Sequence, residues 1–285
     1  MATAELTGEH QTYEPGVADV DISIARDLGQ VVAYGGLGTS QLLRFMYDPL
    51  LHDPNSELSE EERFFPPLHF GLAPIEEMNG HAIEVAERVA EQVQGPLDAE
   101  GHSLGGPILI HTVLERPDLF KSVTIHGGVN FGVTKMTPGA LILEKTVGKV
   151  AGGTGDIHAD SDYMIEQRRR VAEEWPEDIP VSLVATLADD LVLMKDALRI
   201  ELPPGQRAER NVVVPWWFAN DRGRRLLGIP QDVGFISTKL PVTHYNMPQS
   251  RQLIEHHRVI RAGIYSAAQS AVNSLTSGRP HLRSV

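Results

Sequence analysis

No cysteine occurs in this sequence, which excludes disulfides, thiol catalysis and Cys-ligated zinc together. Basic residues are scarce beside acidic ones, 25 against 38, giving a formal net charge of −13. Phosphate binding needs the opposite sign, so a nucleic-acid partner is not expected. No apolar run approaches the length that spans a bilayer. The start, Met1-Ala2-Thr3-Ala4-Glu5, lacks the basic region followed by an apolar one that marks a secretory signal. A soluble, cytoplasmic protein without stable membrane insertion is therefore expected, with its oligomeric state left open. What the sequence does have is length and apolar content: 285 residues, 41% hydrophobic, suit one large α/β unit with insertions.

The most informative stretch is Gly101-His102-Ser103-Leu104-Gly105-Gly106. It fits G-x-S-x-G, in which a serine sits on a strained turn between a strand and a helix. Without Cβ atoms at Gly101 and Gly105, strand and helix can approach closely enough to lift Ser103 Oγ above the sheet edge. The flanks agree. Residues 106–114 read as a buried helix, with Pro107 in the first turn where a missing N–H costs little. Glu115-Arg116-Pro117 stops it, and Val123-Thr124-Ile125-His126 begins the next strand.

Upstream, Gln30-Val31-Val32-Ala33-Tyr34 reads as a strand covered on both faces, and residues 20–26 alternate like an edge strand. Phe64-Phe65-Pro66-Pro67 is either a short strand or one wall of a cleft. Residues 46–75 otherwise read as loop, with a solvated acidic connection at Glu57, Glu60, Glu61 and Glu62. Between 74 and 93, Ala82, Ile83, Val85, Ala86, Val89, Ala90 and Val93 recur at helical steps. The approach to the elbow, Pro96-Leu97-Asp98-Ala99-Glu100, holds two carboxylates. Burying an ionised carboxylate is costly unless it is paired. Asp98 and Glu100 are expected near water at the strand ends or beside basic partners.

From Glu100 to Gly128 the chain resembles the α/β-hydrolase superfamily, and within it the lipase, esterase and thioesterase members that carry a GHSxGG elbow. The resemblance is specific over 28–45 and 80–128 and weaker around 181–193 and 236–250. It implies an α/β-hydrolase fold: a mostly parallel central sheet flanked by helices, with a helical cap insertion. Residues 1–128 and 181–285 would form the core, and 129–180 the cap or lid. Within that insertion helices are expected at 140–150 and 161–174, split by Gly152-Gly153-Thr154-Gly155, a hinge or a plain linker. Asp156, His158, Asp160 and Asp162 read as a solvated acidic turn and helix cap rather than a metal cluster.

The same resemblance implies an oxyanion hole. Gly35-Gly36-Leu37-Gly38 occupies the place where members usually carry His-Gly-x-Gly, with Gly35 standing at the histidine position. The backbone N–H groups of Leu37 and Leu104 would receive the oxyanion. The loop does not complete G-x-G-x-x-G, so a dinucleotide is not expected.

Residues 181–187 read as a buried strand that ends in Ala188-Asp189-Asp190-Leu191-Val192. Members of the superfamily place the catalytic acid just past this strand, commonly as Asp-x-x-Val. Asp189 matches, Asp190 is the alternative, and pattern alone also allows both to cap a helix. Residues 234–240 read as the last strand, and His244 lies in the loop that follows, ahead of a helix expected over 249–266. Of the 12 histidines, only His244 has this setting. Ser103, Asp189 and His244 then follow the order nucleophile, acid, base. In the long interval between acid and histidine, Val212-Val213-Val214 and the residues after it read as an extra strand and helix at the cleft rim. Trp216, Trp217 and Phe218 there either line an apolar substrate pocket or fill core.

The function this resemblance implies is a serine hydrolase that cleaves a carboxylic ester through an acyl-enzyme. No metal or organic cofactor is called for, and the partner would be a small-molecule ester or thioester. A thioesterase or acyltransferase with the same three residues, or a non-catalytic binding protein of the fold, are the alternatives.

Overall fold

Short apolar runs become strands, and the longer stretches of helical period become helices. The computed structural model describes residues 31–36, 63–65, 75–135, 137, 156–239, 241–244 and 247. Seven strands form one sheet: β1 (Val31–Tyr34), β2 (Phe64–Phe65), β3 (Leu97–His102), β4 (Phe120–His126), β5 (Val181–Thr186), β6 (Glu209–Pro215) and β7 (Gly234–Thr238). Their spatial order is β2-β1-β3-β4-β5-β6-β7, and every pairing is parallel. The order reverses between β1 and β3, and in open α/β sheets ligands bind beyond the carboxyl ends of the strands at such a reversal.

One face of the sheet carries Val32, Tyr34, Ala99, Ile125, Leu183, Ala185, Val212, Val214 and Phe235, all in the main core. Helices α1 (Ile75–Val93) and α2 (Gly105–Glu115) cover it. Helix α1 buries Ile75, Met78, Ala82, Ala86 and Val89, the three- and four-residue spacing that puts one stripe against a sheet. Helix α3 (Asp162–Glu174) packs against α2 and sinks Met164 and Val171 into the same core. Within the 129–180 stretch, α3 is thus the crossover between β4 and β5. Its N-cap is Ser161, whose Oγ accepts the Met164 N–H at 3.2 Å, with Asp162 in the first turn, where the helix dipole favours a carboxylate.

The opposite face is polar over β3 and β4, and further along it mixes Val184, Val213 and Ile236 with the buried polar Ser182, Thr186, Asn211 and Thr238. Asp98, Glu100 and His102 share it with Ser122, Thr124 and His126 through the register Asp98↔Ser122, Glu100↔Thr124, His102↔His126. The two carboxylates are fully buried but partnered on β4, the second of the two arrangements expected. Ser122 Oγ donates to Asp98, whose other oxygen lies 3.3 Å from Lys121 Nζ. His126 Nε2–H donates to Glu100 Oε2 at 2.6 Å. Towards β7, Val184, Val213 and Ile236 form an apolar cluster with Val242 and Met247, and burying side chains of this kind stabilises by roughly 1.5–3 kcal/mol each.

Most expected elements appear within a residue or two of their anticipated ends, including β6 and the helix α5 (Asp221–Leu227) in the acid-to-histidine interval. A four-residue helix, α4 (Met194–Ala197), follows the acid. The edge strand at 20–26, the acidic connection, the helix at 140–150, the glycine cluster at 152–155 and the helix over 249–266 lie outside the described residues. Among the described residues, no helix is long and apolar enough to cross a membrane.

The sheet–helix contact beneath the elbow yields a stability test. A Cβ on Gly105 would sit 2.0 Å from the Tyr34 carbonyl oxygen, whereas one on Gly80, exposed in α1, meets nothing within 4 Å. Gly105→Ala is expected to destabilise by about 3 kcal/mol or more through overpacking against backbone. Gly80→Ala should stabilise by roughly 0.5–1 kcal/mol through helix propensity. Urea unfolding of both variants measures this, and equal stability of the two would contradict the packing described.

Candidate active site

Ser103 has φ of +55°, the left-handed region that a side-chain-bearing residue occupies at a cost of roughly 1–3 kcal/mol. Surrounding bonds hold it there. Its N–H donates to the His126 carbonyl at 3.1 Å, and its own carbonyl accepts the N–H of Gly106 at 3.0 Å and of Val129 at 3.3 Å. Backbone from three directions crowds the turn. A Cβ on Gly101 would lie 3.1 Å from the Gly105 oxygen, and one on Gly106 would lie 2.9 Å from Ile125 Cγ2. A Cβ on Gly36, just beyond β1, would lie 2.7 Å from Ser103 Cβ and 3.2 Å from its Oγ. The loop after β1 therefore presses on the serine itself, at the point where the strand order reverses.

Asp189 and His244 meet 55 positions apart in the chain, with His244 Nδ1–H donating to Asp189 Oδ2 at 2.8 Å; both side chains are only 2% exposed. The other carboxylate oxygen, Oδ1, accepts the N–H groups of Leu191 at 2.9 Å and Val192 at 2.8 Å. The two roles open to Asp189 from the sequence, acid partner and turn cap, are thus both filled, one by each oxygen. The neighbouring Asp190 is exposed and takes part through its backbone carbonyl, which accepts from Thr137 Oγ1. Because the carboxylate can only accept, the imidazole is the tautomer with the proton on Nδ1, leaving Nε2 as its basic nitrogen.

The loop bearing His244 is seated by Val242 and Met247 on the apolar part of the sheet. It is tied to the acid loop by a parallel bridge between Ala188 and Thr243 and by Thr186 Oγ1 donating to the Val242 carbonyl. Gly127, at the end of β4 with φ of +51°, lies underneath. A Cβ there would come within 3.2 Å of Asp189 Oδ2 and His244 Nδ1 and 3.0 Å of Met247 Cε. His102 closes the assembly from the elbow side, its Nε2–H donating to the His244 carbonyl at 2.8 Å and its ring centroid 4.7 Å from that of His244. Burial, reinforced by the neighbouring imidazoles of His244 and His126, holds His102 well below the usual histidine range, so its ring is neutral.

Of the other expected site residues, Leu104 is the buried N-cap residue of α2. Its N–H belongs to the donors a helix start leaves without an intrahelical partner. Leu37 lies outside the described residues. Trp216, Trp217 and Phe218 form a short 3₁₀ turn at the carboxyl end of β6, on the same sheet edge as Ser103. Trp216 is 64% exposed and Trp217 49%, so core filling does not describe those two, whereas Phe218 is half-buried and packs against the main core. Gly36, Gly127 and His102 were not singled out by sequence as site-shaping residues. Gly36 was legible only as one of several loop glycines, and the others depend on contacts between distant segments.

No family model matches the sequence, and no curated protein matches it. Among solved structures, similar folds include the monoacylglycerol lipase of Paleococcus ferrophilus, at 18% identity and TM-score 0.42 over 83% of this chain and 93% of that one. The metagenome-derived lipolytic enzymes LipS and LipT give 9% identity and TM-score 0.46 over 81% and 91%. The thioesterase domain of the curacin biosynthetic pathway gives 12% and 0.43 over 82% and 92%. At such identities and scores these likenesses carry no assignment of activity. The chain's own architecture is an all-parallel sheet flanked by helices, with the strained serine turn between β3 and α2.

Two measurements test the site's geometry. In proton NMR the His244 Nδ1–H should give a protected downfield signal that is lost in Asp189→Asn and kept in Asp190→Asn; the reverse pattern would make Asp190 the partner. The second concerns acid stability. The folded state holds His102 below the ordinary value of 6.5, so beneath that pH the unfolded chain binds a proton that the native one refuses. Stability contributed by neutral His102 is present above pH 6.5 and is lost as pH falls, at up to about 1.4 kcal/mol per pH unit. Urea unfolding across pH should show a shallower acid slope in His102→Gln, and identical slopes would refute the assignment.

Proposed function

We propose that this chain is a serine hydrolase that cleaves a carboxylic ester through an acyl-enzyme, with Ser103 as nucleophile, His244 as base and Asp189 as the acid that orients it. The observation that carries this reading is the buried Asp189–His244 bond at 2.8 Å, which fixes the tautomer a general base requires. A serine hydroxyl is a weak nucleophile at neutral pH and reacts only with such a base in reach. His244 Nε2 takes the Ser103 Oγ proton as Oγ bonds to the ester carbonyl carbon, and the Asp189 carboxylate stabilises the imidazolium. Negative charge moves to the carbonyl oxygen, where the N–H of Leu104, at the positive start of α2, and that of Leu37 receive it. Such a donor is worth roughly 3 kcal/mol in the transition state.

The imidazolium then protonates the leaving alcohol as the carbon–oxygen bond breaks, which leaves acyl-Ser103. Water gives a proton to His244 and attacks the acyl carbon, and the imidazolium returns a proton to Ser103 Oγ as its bond to that carbon breaks, releasing the carboxylic acid and restoring Ser103. The crevice beyond β1 and β3 is the natural place for the scissile carbonyl, and Trp216, Trp217 and Phe218 supply an apolar rim for the acyl or alcohol group. The same chemistry would serve a thioester.

A fluorophosphonate probe is expected to label the wild type and not Ser103→Ala. Turnover of p-nitrophenyl esters of graded chain length should fall by roughly 10⁶ in His244→Ala. Near-normal turnover in that variant would remove His244 from the mechanism, and an unlabelled wild type would favour a binding protein of the same fold.

A further inference from the structure

We propose that His102 is a positioning residue that locks the loop bearing His244 onto the elbow bearing Ser103. The inference rests on the hydrolase reading above, since it matters only if those two side chains react together. The base loop comes from beyond β7 and must reach across to the end of β3. Its anchors on the acid side are those of residues 242 and 243: the Ala188–Thr243 bridge, the Thr186 bond to Val242 and the Val242 and Met247 contacts. These fix the loop relative to β5 and therefore relative to Asp189. They do not fix it relative to the nucleophile, which sits two strands away in the order β3-β4-β5.

His102 spans that gap. It directly precedes Ser103, so a bond from its ring ties the other loop to the residue next to the nucleophile. Its Nε2–H donates to the backbone carbonyl of His244 itself, a bond between residues 142 positions apart, and the two rings are in contact at 4.7 Å and 41°. The elbow is fixed from behind as well. On the same sheet face Glu100 holds the imidazole of His126, while the His126 carbonyl accepts the Ser103 N–H. The backbone N–H of the nucleophile is thereby set against a histidine whose ring is itself bonded, while its carbonyl accepts from Gly106 and Val129. A neutral His102 in this tautomer keeps its donor whatever the charge on His244, so the spacing persists when the base becomes an imidazolium.

The consequence separates positioning from support of the fold. Loss of the His102 donor leaves the acid-side anchors in place, so the Asp189–His244 bond survives while its alignment with Ser103 loosens. Misplacement of catalytic groups by about 1 Å costs on the order of 10²-fold in rate. The test compares wild type with His102→Leu, which has no donor, and with His102→Gln, whose amide nitrogen reaches the position of Nε2. Fluorophosphonate inactivation rates, kcat and KM for a p-nitrophenyl ester and the His244 Nδ1–H signal are read for each.

The expected result is a kcat and an inactivation rate reduced roughly 10- to 100-fold in His102→Leu, with KM little changed and the downfield signal retained. His102→Gln recovers most of that loss. If His102→Leu does not fold, His102→Phe, which keeps a ring against His244 without the donor, carries the same expectation. Wild-type kcat in the donor-less variant, loss of the downfield signal along with the rate, or a His102→Gln enzyme as slow as His102→Leu would each overturn the proposal. A wild type inert to the fluorophosphonate would overturn the hydrolase reading first, a failure distinguishable because it precedes any variant.

Discussion

The close approach of three chain segments around one residue is the constraint on which this structure turns. Ser103 stands at φ of +55° because the end of β1, the end of β3 and the start of α2 converge on it. None of the three has a Cβ at the contact: Gly36, Gly101, Gly105 and Gly106 leave distances of 2.0–3.1 Å to the nearest atom where a Cβ would sit. The conformational cost of the turn is met by the hydrogen bonds at its two backbone ends and by the burial of α2 against the sheet. From that geometry come both the projection of the hydroxyl above the sheet edge and the placement of a helix start next to it.

The second organising feature is the division of the far sheet face. Over β3 and β4 it holds Asp98, Glu100, His102, Ser122, Thr124 and His126, all buried. Unpaired, such groups would be a heavy cost; they are arranged instead so that each carboxylate has a donor on the adjacent strand. Over β5 to β7 the same face carries an apolar cluster of Val184, Val213 and Ile236 that receives Val242 and Met247. The histidine loop therefore lies with its flanks on hydrocarbon and its histidine against the polar end. Asp189 joins the two regimes, bonding its own loop with one oxygen and the imidazole with the other.

Much of this was legible in the sequence. Alternation of run length and period gave the order of strands and helices, and the glycine spacing around Ser103 gave the sharp turn. Asp189 was separable from Asp190 only in three dimensions: adjacent carboxylates look alike in a pattern, but one points into the protein and the other out. Helix α3 was expected from its periodicity, yet periodicity does not say what a helix packs on, and α3 lies against α2 in the main core. Trp216 and Trp217 were open between pocket and core because hydrophobicity cannot distinguish a rim from an interior. His102 carried no signal at all beyond its place in the elbow motif, since its partner is a backbone carbonyl, a group every residue has.

The central claim is that the strained serine is the atom that bonds to substrate. Acid quenching of steady-state turnover on a p-nitrophenyl ester, followed by peptide mass mapping, reads this directly. A single acyl group localised to Ser103 is the predicted result. Consumption of substrate with the acyl group on another residue, or with no covalent adduct under any quench time, would contradict it.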